Sequence, residues 1–324
     1  MVTELLPYPR VSLVIFGYRH ERYIAEAVQS ALVQTGPPIE ILVSDDASPD
    51  GTFEVMKEAT ANYRGPHKVI LNRNSANLGL ADHINRAWQL CRGDFVIMQG
   101  GDDVSVPNRV EKLVSRWLDK QPVVDLVCSY YEEMTFDGKP TGFIQKNTVF
   151  VPNTTDHILE WRCGATGACA GYSRRLHEAY GPLDNKVVAE DWVYSFRAWI
   201  ESGIGLVEEP LVKHRRHEGS ISAIHKNVKS LKDRGSRRSL RREGAEGQLA
   251  IAREWLRAAQ RSPAKLSRVE PAALEKLVKL RELELSAFEA TPLQAVKIIA
   301  ASMAIGGGFR HNAKLFVRHV LKRH

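Results

Sequence analysis

Apolar and polar residues along the first 224 positions follow two rhythms. Largely apolar runs rich in branched side chains occupy residues 11–16 (VSLVIF), 39–44 (IEILVS), 67–71 (HKVIL), 94–98 (DFVIM) and 123–130 (VVDLVCSY). Runs of this length and composition are strands buried on both faces. Between them, apolar residues recur at helical spacing. One stripe is Ile24, Ala27, Val28, Ala31 and Leu32; a second is Leu80, Ile84, Ala87, Trp88 and Cys91; a third is Val110, Leu113, Val114, Trp117 and Leu118. Each predicts an amphipathic helix with one face turned to a core. Gly36-Pro37-Pro38 stops the first, Asn77 and Gly79 lead into the second, and Pro107 suits the opening turn of the third. Strand and helix in alternation predict an α/β fold with a mostly parallel sheet covered on both sides.

The rhythm loosens from about residue 140. A Gly-rich stretch at 164–171 (GATGACAG), a helix near 191–201 and an extended segment at 204–212 are the recognisable pieces. Beyond 225 the chain reads as helical, with no strand signal and no internal repeat. This divides it into an α/β domain, residues 1–224, and a helical C-terminal region, residues 225–324.

Charge sharpens that division. Residues 225–324 hold 22 Lys and Arg against 9 Asp and Glu, whereas residues 1–224 hold 23 against 29. An acidic body with a basic tail predicts two segments with different tasks. The four cysteines, Cys91, Cys128, Cys163 and Cys169, lack metal-ligand spacing and read as reduced core thiols of a cytoplasmic protein. The N-terminal MVTELLPYPR has no basic stretch followed by a long apolar run, so no signal peptide is expected.

Candidate chemistry lies where strands end in acids. VSDDASPDG, residues 43–51, closes the second strand. Asp45 or Asp46 there can accept a hydrogen bond from a uracil-type imide N–H, and Tyr18 beyond the first strand can stack on the base; the same residues can instead cap turns and the next helix. GDFVIMQGGDD, residues 93–103, closes the fourth strand with Gly100-Gly101-Asp102-Asp103. Adjacent carboxylates repel unless a cation or donor lies between them. Mg²⁺ or Mn²⁺ bridging to a diphosphate meets that need with one or two carboxylates plus phosphate oxygens. Open α/β sheets bind ligands at this edge.

VSLVIFGYRHERYIAEAVQSALVQ, EILVSDDASPDGT and NLGLADHINRAWQLCRGDFVIMQGGDD, in that order, resemble the family 2 inverting glycosyltransferases of the GT-A fold, over roughly residues 9–221. The resemblance implies that Tyr18 and Asp46 take the base-binding positions, and Asp102 and Asp103 the ribose and metal positions. Gly100 stands where the family's DxD-like motif usually carries its first acid. In VVAEDWVYSFRAWIESG, Asp191 matches the family's catalytic base, with Glu190 orienting the acceptor or serving as base itself. Inversion requires a carboxylate on the face opposite the leaving diphosphate to take the acceptor's proton; a helix cap is the alternative reading of the same pair. KHRRHEGSIS, residues 213–222, resembles the segment that closes over the diphosphate, with Arg216 reaching phosphate and His217 phosphate or metal. Gly-rich 164–171 is expected to wall the acceptor side, and Trp161 and Trp192 are either sugar-stacking or core residues.

The tail carries eight Lys and Arg in residues 226–242. The apolar stretch 292–305 contains Lys297 and is short for a membrane span. In 309–324, Phe309, Ala313, Phe316, Val317, Val320 and Leu321 share one helical face and Arg310, Lys314, Arg318, Lys322 and Arg323 largely the remainder. Such a helix can lie on an anionic membrane surface, or pack on its own domain or a second subunit as an oligomerisation element. Few aromatics and no recognisable module argue against nucleic acid.

The expectation is therefore an inverting hexosyltransferase-type enzyme with Mn²⁺ or Mg²⁺. It would move a sugar from a nucleotide-sugar donor, UDP-linked, to a glycan or lipid-linked glycan acceptor in surface polysaccharide or glycoconjugate assembly. Its place would be the cytoplasm or the inner face of the membrane. A sugar-phosphate nucleotidyltransferase and a non-catalytic nucleotide-binding scaffold are the alternatives. The first lacks its Gly-rich, Lys-bearing loop near the N-terminus, and Gly100 is the main support for the second.

Overall fold

A computed structural model describes residues 8–119, 123–147, 165–220, 234–262 and 271–305. The readings at Trp161, Cys163, residues 226–233 and the 309–324 helix lie outside these residues. The chain divides into two compact units. One comprises Met1–Val151, Arg162–Asn185 and Glu190–Glu218; the other comprises Pro152–Trp161, Lys186–Ala189 and Gly219–His324.

The first unit opens as strand and helix in turn: β1 (Val11–Gly17), α1 (Ile24–Leu32), β2 (Glu40–Asp45), α2 (Thr52–Ala61), β3 (Lys68–Arg73), α3 (Leu80–Leu90) and β4 (Phe95–Gly100). These follow the predicted runs to within a residue or two. Then come β5 (Val104–Ser105), α4 (Arg109–Leu118), β6 (Leu126–Met134), β7 (Pro140–Gln145), a 3₁₀ turn (Gly167–Cys169), β8 (Ala170–Ser173), α5 (Arg174–Tyr180), α6 (Glu190–Glu201) and β9 (Ile204–Arg215). The strands form one sheet in the order β3-β2-β1-β4-β8-β6-β9-β5, with β7 on β6. The β1, β2, β3 and β4 pairings are parallel, as is the long β6–β9 pairing. The short β4–β8, β6–β8, β5–β9 and β6–β7 contacts are antiparallel. Most of the paired length is thus parallel.

Helix α1 explains why the pattern was readable. All five residues of its stripe are buried against Leu13, Ile15, Ile41 and Val43 of the sheet, alongside Val110, Leu113 and Val114 of α4. Ile24, Val28 and Leu32 each contribute about 1.5–3 kcal/mol when buried, and the two alanines less. Two stripes differ in detail. Leu118 at the end of α4 is exposed, because the apolar face has turned past the core by the last residue. In α3 Leu80 is only half-buried, while Ala81 and His83 face inward. His83 can do so because its Nε2 lies 2.7 Å from Ser44 Oγ, in a network continued by Asn72. Burial pushes its imidazole down to about 4 and keeps it neutral. Strands β5, β7 and β8 were not foreseen. Strand β7 is exposed along most of its length and β5 has two residues, so neither carries an apolar run.

Cys91, Cys128 and Cys169 are free and buried, and burial pushes the Cys128 thiol up to about 12. In the second unit, α7 (Arg234–Arg261), α8 (Pro271–Ser286) and α9 (Pro292–Ala304) bury Ile251, Trp255, Leu274 and Leu277. Among the described residues no helix is long and apolar enough to cross a membrane.

Candidate functional site

Parallel register gathers the first two acidic motifs. Gly17 pairs with Asp45, and Phe16 with Gly100, so Tyr18, Asp46 and the Gly100–Asp103 turn leave the sheet at one edge. Backbone bonds extend the alignment: Asp46 N–H donates to Gly17 O and Gly101 N–H to Phe16 O.

On the β2 side, Asp45 is fully buried. It accepts from Ser48 N–H at 3.1 Å and faces Arg73 Nε at 3.3 Å. Asp46, 3% exposed, accepts from Asn74 Nδ2 at 2.8 Å and from the backbone N–H groups of Leu78 and Gly79 at 2.9 Å each. It therefore clamps the loop that enters α3, and its Oδ2, which among the described residues holds only the Gly79 bond, keeps acceptor capacity. Tyr18 is 38% exposed, with the Arg19 guanidinium 5.4 Å from its ring centroid. Arg19 adopts φ +58° and Ala47 φ +55°, uncommon for side-chain-bearing residues. Arg19 N–H donates to Ser48 Oγ, which ties these two turns together.

At the end of β4 the acids meet histidines. Asp102 Oδ2 lies 2.9 Å from His217 Nε2 and 4.0 Å from His20 Nε2. Burial alone would raise the Asp102 carboxyl; the His217 hydrogen bond and the charges of His20, His214 and His217 outweigh it and hold it at about 2. Asp103, 1% exposed, uses Oδ1 to accept from Arg215 N–H at 3.0 Å and to meet His214 Nδ1 at 2.9 Å. Burial lowers the His214 pKa, but the charge and hydrogen bond of Asp103 raise it further, for a net upward shift.

Gly100 is required here by space. A Cβ at this position would stand 2.6 Å from Asp102 Oδ1 and 3.1 Å from Asp103 Oδ2. The absent first acid of the motif thus leaves a gap between one oxygen of each aspartate. Among the described residues no hydrogen bond reaches either oxygen, and no three His, Cys, Asp or Glu side chains form a closed metal site. Two carboxylate oxygens beside an open gap fit a hard divalent cation that takes its other ligands from phosphate and water. His217 stands beside this pair, with its Nε2 on Asp102 Oδ2 and not in the gap.

The third acidic pair opens α6. Asp191 accepts from Gly167 N–H at 3.2 Å and from Trp192 N–H at 2.9 Å. Burial raises its carboxyl to about 6, held back by those backbone bonds. Glu190 has less support: burial and the neighbouring Asp191 push it up to about 8. A Cβ on Gly167 would lie 2.2 Å from Glu190 Oε1, so a side chain there would displace the Glu190 carboxyl from the turn. Arg109 holds that turn to the sheet. Fully buried, it donates from Nη2 to Met98 O and Ala168 O, each at 2.8 Å, and from Nη1 to Ser105 Oγ at 2.9 Å. Burial lowers its pKa to about 10.

Arg216 Nε donates to Glu133 Oε1 at 2.9 Å. Arg215 instead turns inward, with Nε on Asp102 O at 2.9 Å and an ion pair to Glu26 at 2.5 Å. Trp192 is half-buried. Sequence reasoning singled out none of His20, His214, Arg215 and Arg109, and reached Gly167 only as part of the Gly-rich 164–171 stretch. KHRRHEGSIS carried a partial signal, since the two-residue period of a strand sets His214 and Arg216 on the face opposite Arg215.

The family model for glycosyl transferase family 2 matches residues 12–181. Among curated proteins, the chain is similar to the putative glycosyltransferase EpsE of Bacillus subtilis, 38% identical over 107 residues that cover 33% of this chain and 38% of EpsE. The matched region spans 38% to 60% of the length of the first such relatives. Among solved structures, S. aureus TarS in complex with UDP superposes with a TM-score of 0.56 at 15% identity, covering 97% of this chain and 82% of that one. The mannosyltransferase PcManGT from Pyrobaculum calidifontis, in complex with GDP-Man and Mn²⁺, gives 0.53 at 19% identity, covering 98% and 81%.

Proposed function

The chain belongs to glycosyl transferase family 2 and has the GT-A fold, and from that premise we propose that it transfers a sugar, with inversion, from a nucleoside-diphosphate donor to an acceptor hydroxyl. One observation carries the reading: two groups of acids, Asp102 with Asp103 and Glu190 with Asp191, differ in their protonation demands. Asp102 is held ionised by histidines, as a group facing a cation should be. Asp191 is raised to about 6, near the value a general base needs at neutral pH.

In this mechanism Tyr18 stacks on the base, and Asp46 with Asp45 fixes the loop against which the base lies. UDP is the donor we favour, since the spare capacity of Asp46 Oδ2 suits an imide N–H. A divalent cation, Mn²⁺ or Mg²⁺, would be held by Asp102 and Asp103 and supplies positive charge to the diphosphate. Asp191 takes the proton as the acceptor oxygen forms its bond to the anomeric carbon and the bond to the diphosphate breaks on the opposite face. Glu190, neutral below about 8, donates a hydrogen bond to the acceptor and avoids a second negative charge beside the base. Arg109 keeps the Gly167 turn, and so the Gly167 N–H on Asp191, in place. A glycan or lipid-linked glycan is the acceptor class, consistent with a hydroxyl nucleophile.

Calorimetric titration of nucleoside diphosphates with and without Mn²⁺, on wild type and Asp103→Ala, tests the donor half. Metal-dependent UDP binding abolished by the substitution supports the reading; no binding of any nucleotide sinks it. The anomeric configuration of the product, read by NMR, tests inversion.

A further inference from the structure

Helix α9 is built inside out. Its buried positions are small or polar, Ala295 and Ser302, while Leu293, Val296 and Met303 are 71%, 52% and 58% exposed. With exposed Ala300 these fall at i, i+3, i+7 and i+10, one continuous stripe. Helices of water-soluble units turn the other way round, large apolar side chains inward. The stripe is not a frayed end: Thr291 and Gln294 form a reciprocal capping box, and Pro292 occupies the first turn.

Charge identifies what covers the stripe. Glu289 is the last acidic residue of the chain; residues 290–324 contain Lys297, Arg310, Lys314, Arg318, Lys322 and Arg323 and no Asp or Glu. Lys297 itself is exposed on α9. Protein interfaces are depleted of lysine in their cores, whereas exposed large apolar residues beside unopposed Lys and Arg are the composition that anionic lipid attracts. We propose that α9 docks on an anionic lipid surface through Leu293, Val296, Ala300 and Met303, with the acid-free stretch 290–324 supplying the electrostatic attraction. This inference is independent of the transferase reading, because it concerns binding rather than turnover.

The test is co-sedimentation of the full chain with vesicles of phosphatidylcholine alone or mixed with phosphatidylglycerol. Binding to the anionic vesicles only, released by salt, is the expected result. The double substitution Leu293→Glu with Met303→Glu should lower the partition coefficient by about tenfold or more, with the circular dichroism and mass in solution unchanged. Leu293→Trp provides a variant whose effect unfolding cannot mimic: it should bind more tightly and show a blue-shifted emission on vesicle addition. Failure to bind either vesicle overturns the proposal. So does binding that the double substitution leaves intact, which would reduce the attraction to charge alone. Light scattering that finds wild type self-associated and the double variant monomeric would assign the stripe to a second copy of the chain instead.

Discussion

Glu190 and Asp191 are adjacent, yet burial and the charge of Asp191 push Glu190 up to about 8, while burial raises Asp191 only to about 6 against the Gly167 and Trp192 N–H groups it accepts from. The sign of the pH response follows. Asp191 gains its base form as pH rises through about 6, so kcat/KM should climb across that range on a pH–rate profile. Asp191→Asn should lower kcat by about 10²–10⁴ while nucleotide binding persists; Glu190→Gln should cost less and keep the acid limb. Both folded pKa values are raised, so the pair favours folding in acid and loses that contribution as pH rises from the ordinary carboxylate range through about 8, where Glu190 ionises. Glu190→Gln should therefore raise the melting temperature more in alkaline than in acidic buffer. At Gly100, restoring an acid should fail: Gly100→Asp places a Cβ 2.6 Å from Asp102 Oδ1, a clash of about 1–3 kcal/mol measurable by urea unfolding.

At the level of elements, Arg109 is the first residue of α4 and reaches two carbonyls on separate segments, Met98 O at the end of β4 and Ala168 O in the 3₁₀ turn. Arg109→Met should destabilise by about 2–4 kcal/mol in thermal or urea unfolding, since it strands buried acceptors. Arg109→Lys keeps the charge but not the fork that spans both carbonyls, so kcat should fall more than donor KM changes. This residue also marks where sequence reasoning stopped. Asp102 and Asp191 were legible because each adjoins a local signal, an apolar strand or a helix start, and the α1 stripe was legible because every residue in it meets the core. Arg109 lay on a helix whose apolar face drew attention elsewhere. His214 was invisible because its partner Asp103 is 111 positions away, and no local pattern encodes such a pairing. Strand β8 escaped for a related reason. Four residues, one of them Gly171 lying against Phe95, carry too little hydrophobic period to register, and antiparallel pairing with β4 and β6 is what orders them.

For the whole molecule, ligand linkage offers a test that needs no acceptor. UDP with Mn²⁺ at a hundred times its dissociation constant should add about 2.7 kcal/mol of stability, seen as a rise in melting temperature that Asp103→Ala removes. The arrangement of the sheet has a consequence for how this protein comes into being. Strands β1 to β4 and the loops that hold Tyr18, Asp46 and Asp102 are consecutive in the chain, so their contacts close modest loops. Strand β9 must instead travel back to lie between β6 and β5, delivering His214 and His217 to acids more than a hundred positions earlier. Long-range closure is slow. During synthesis or refolding, the edge that carries Tyr18, Asp46 and Asp102, proposed above to meet the nucleotide, should therefore mature before the histidine clasp, leaving a brief stage in which the proposed donor surface stands without the groups that hold its acids.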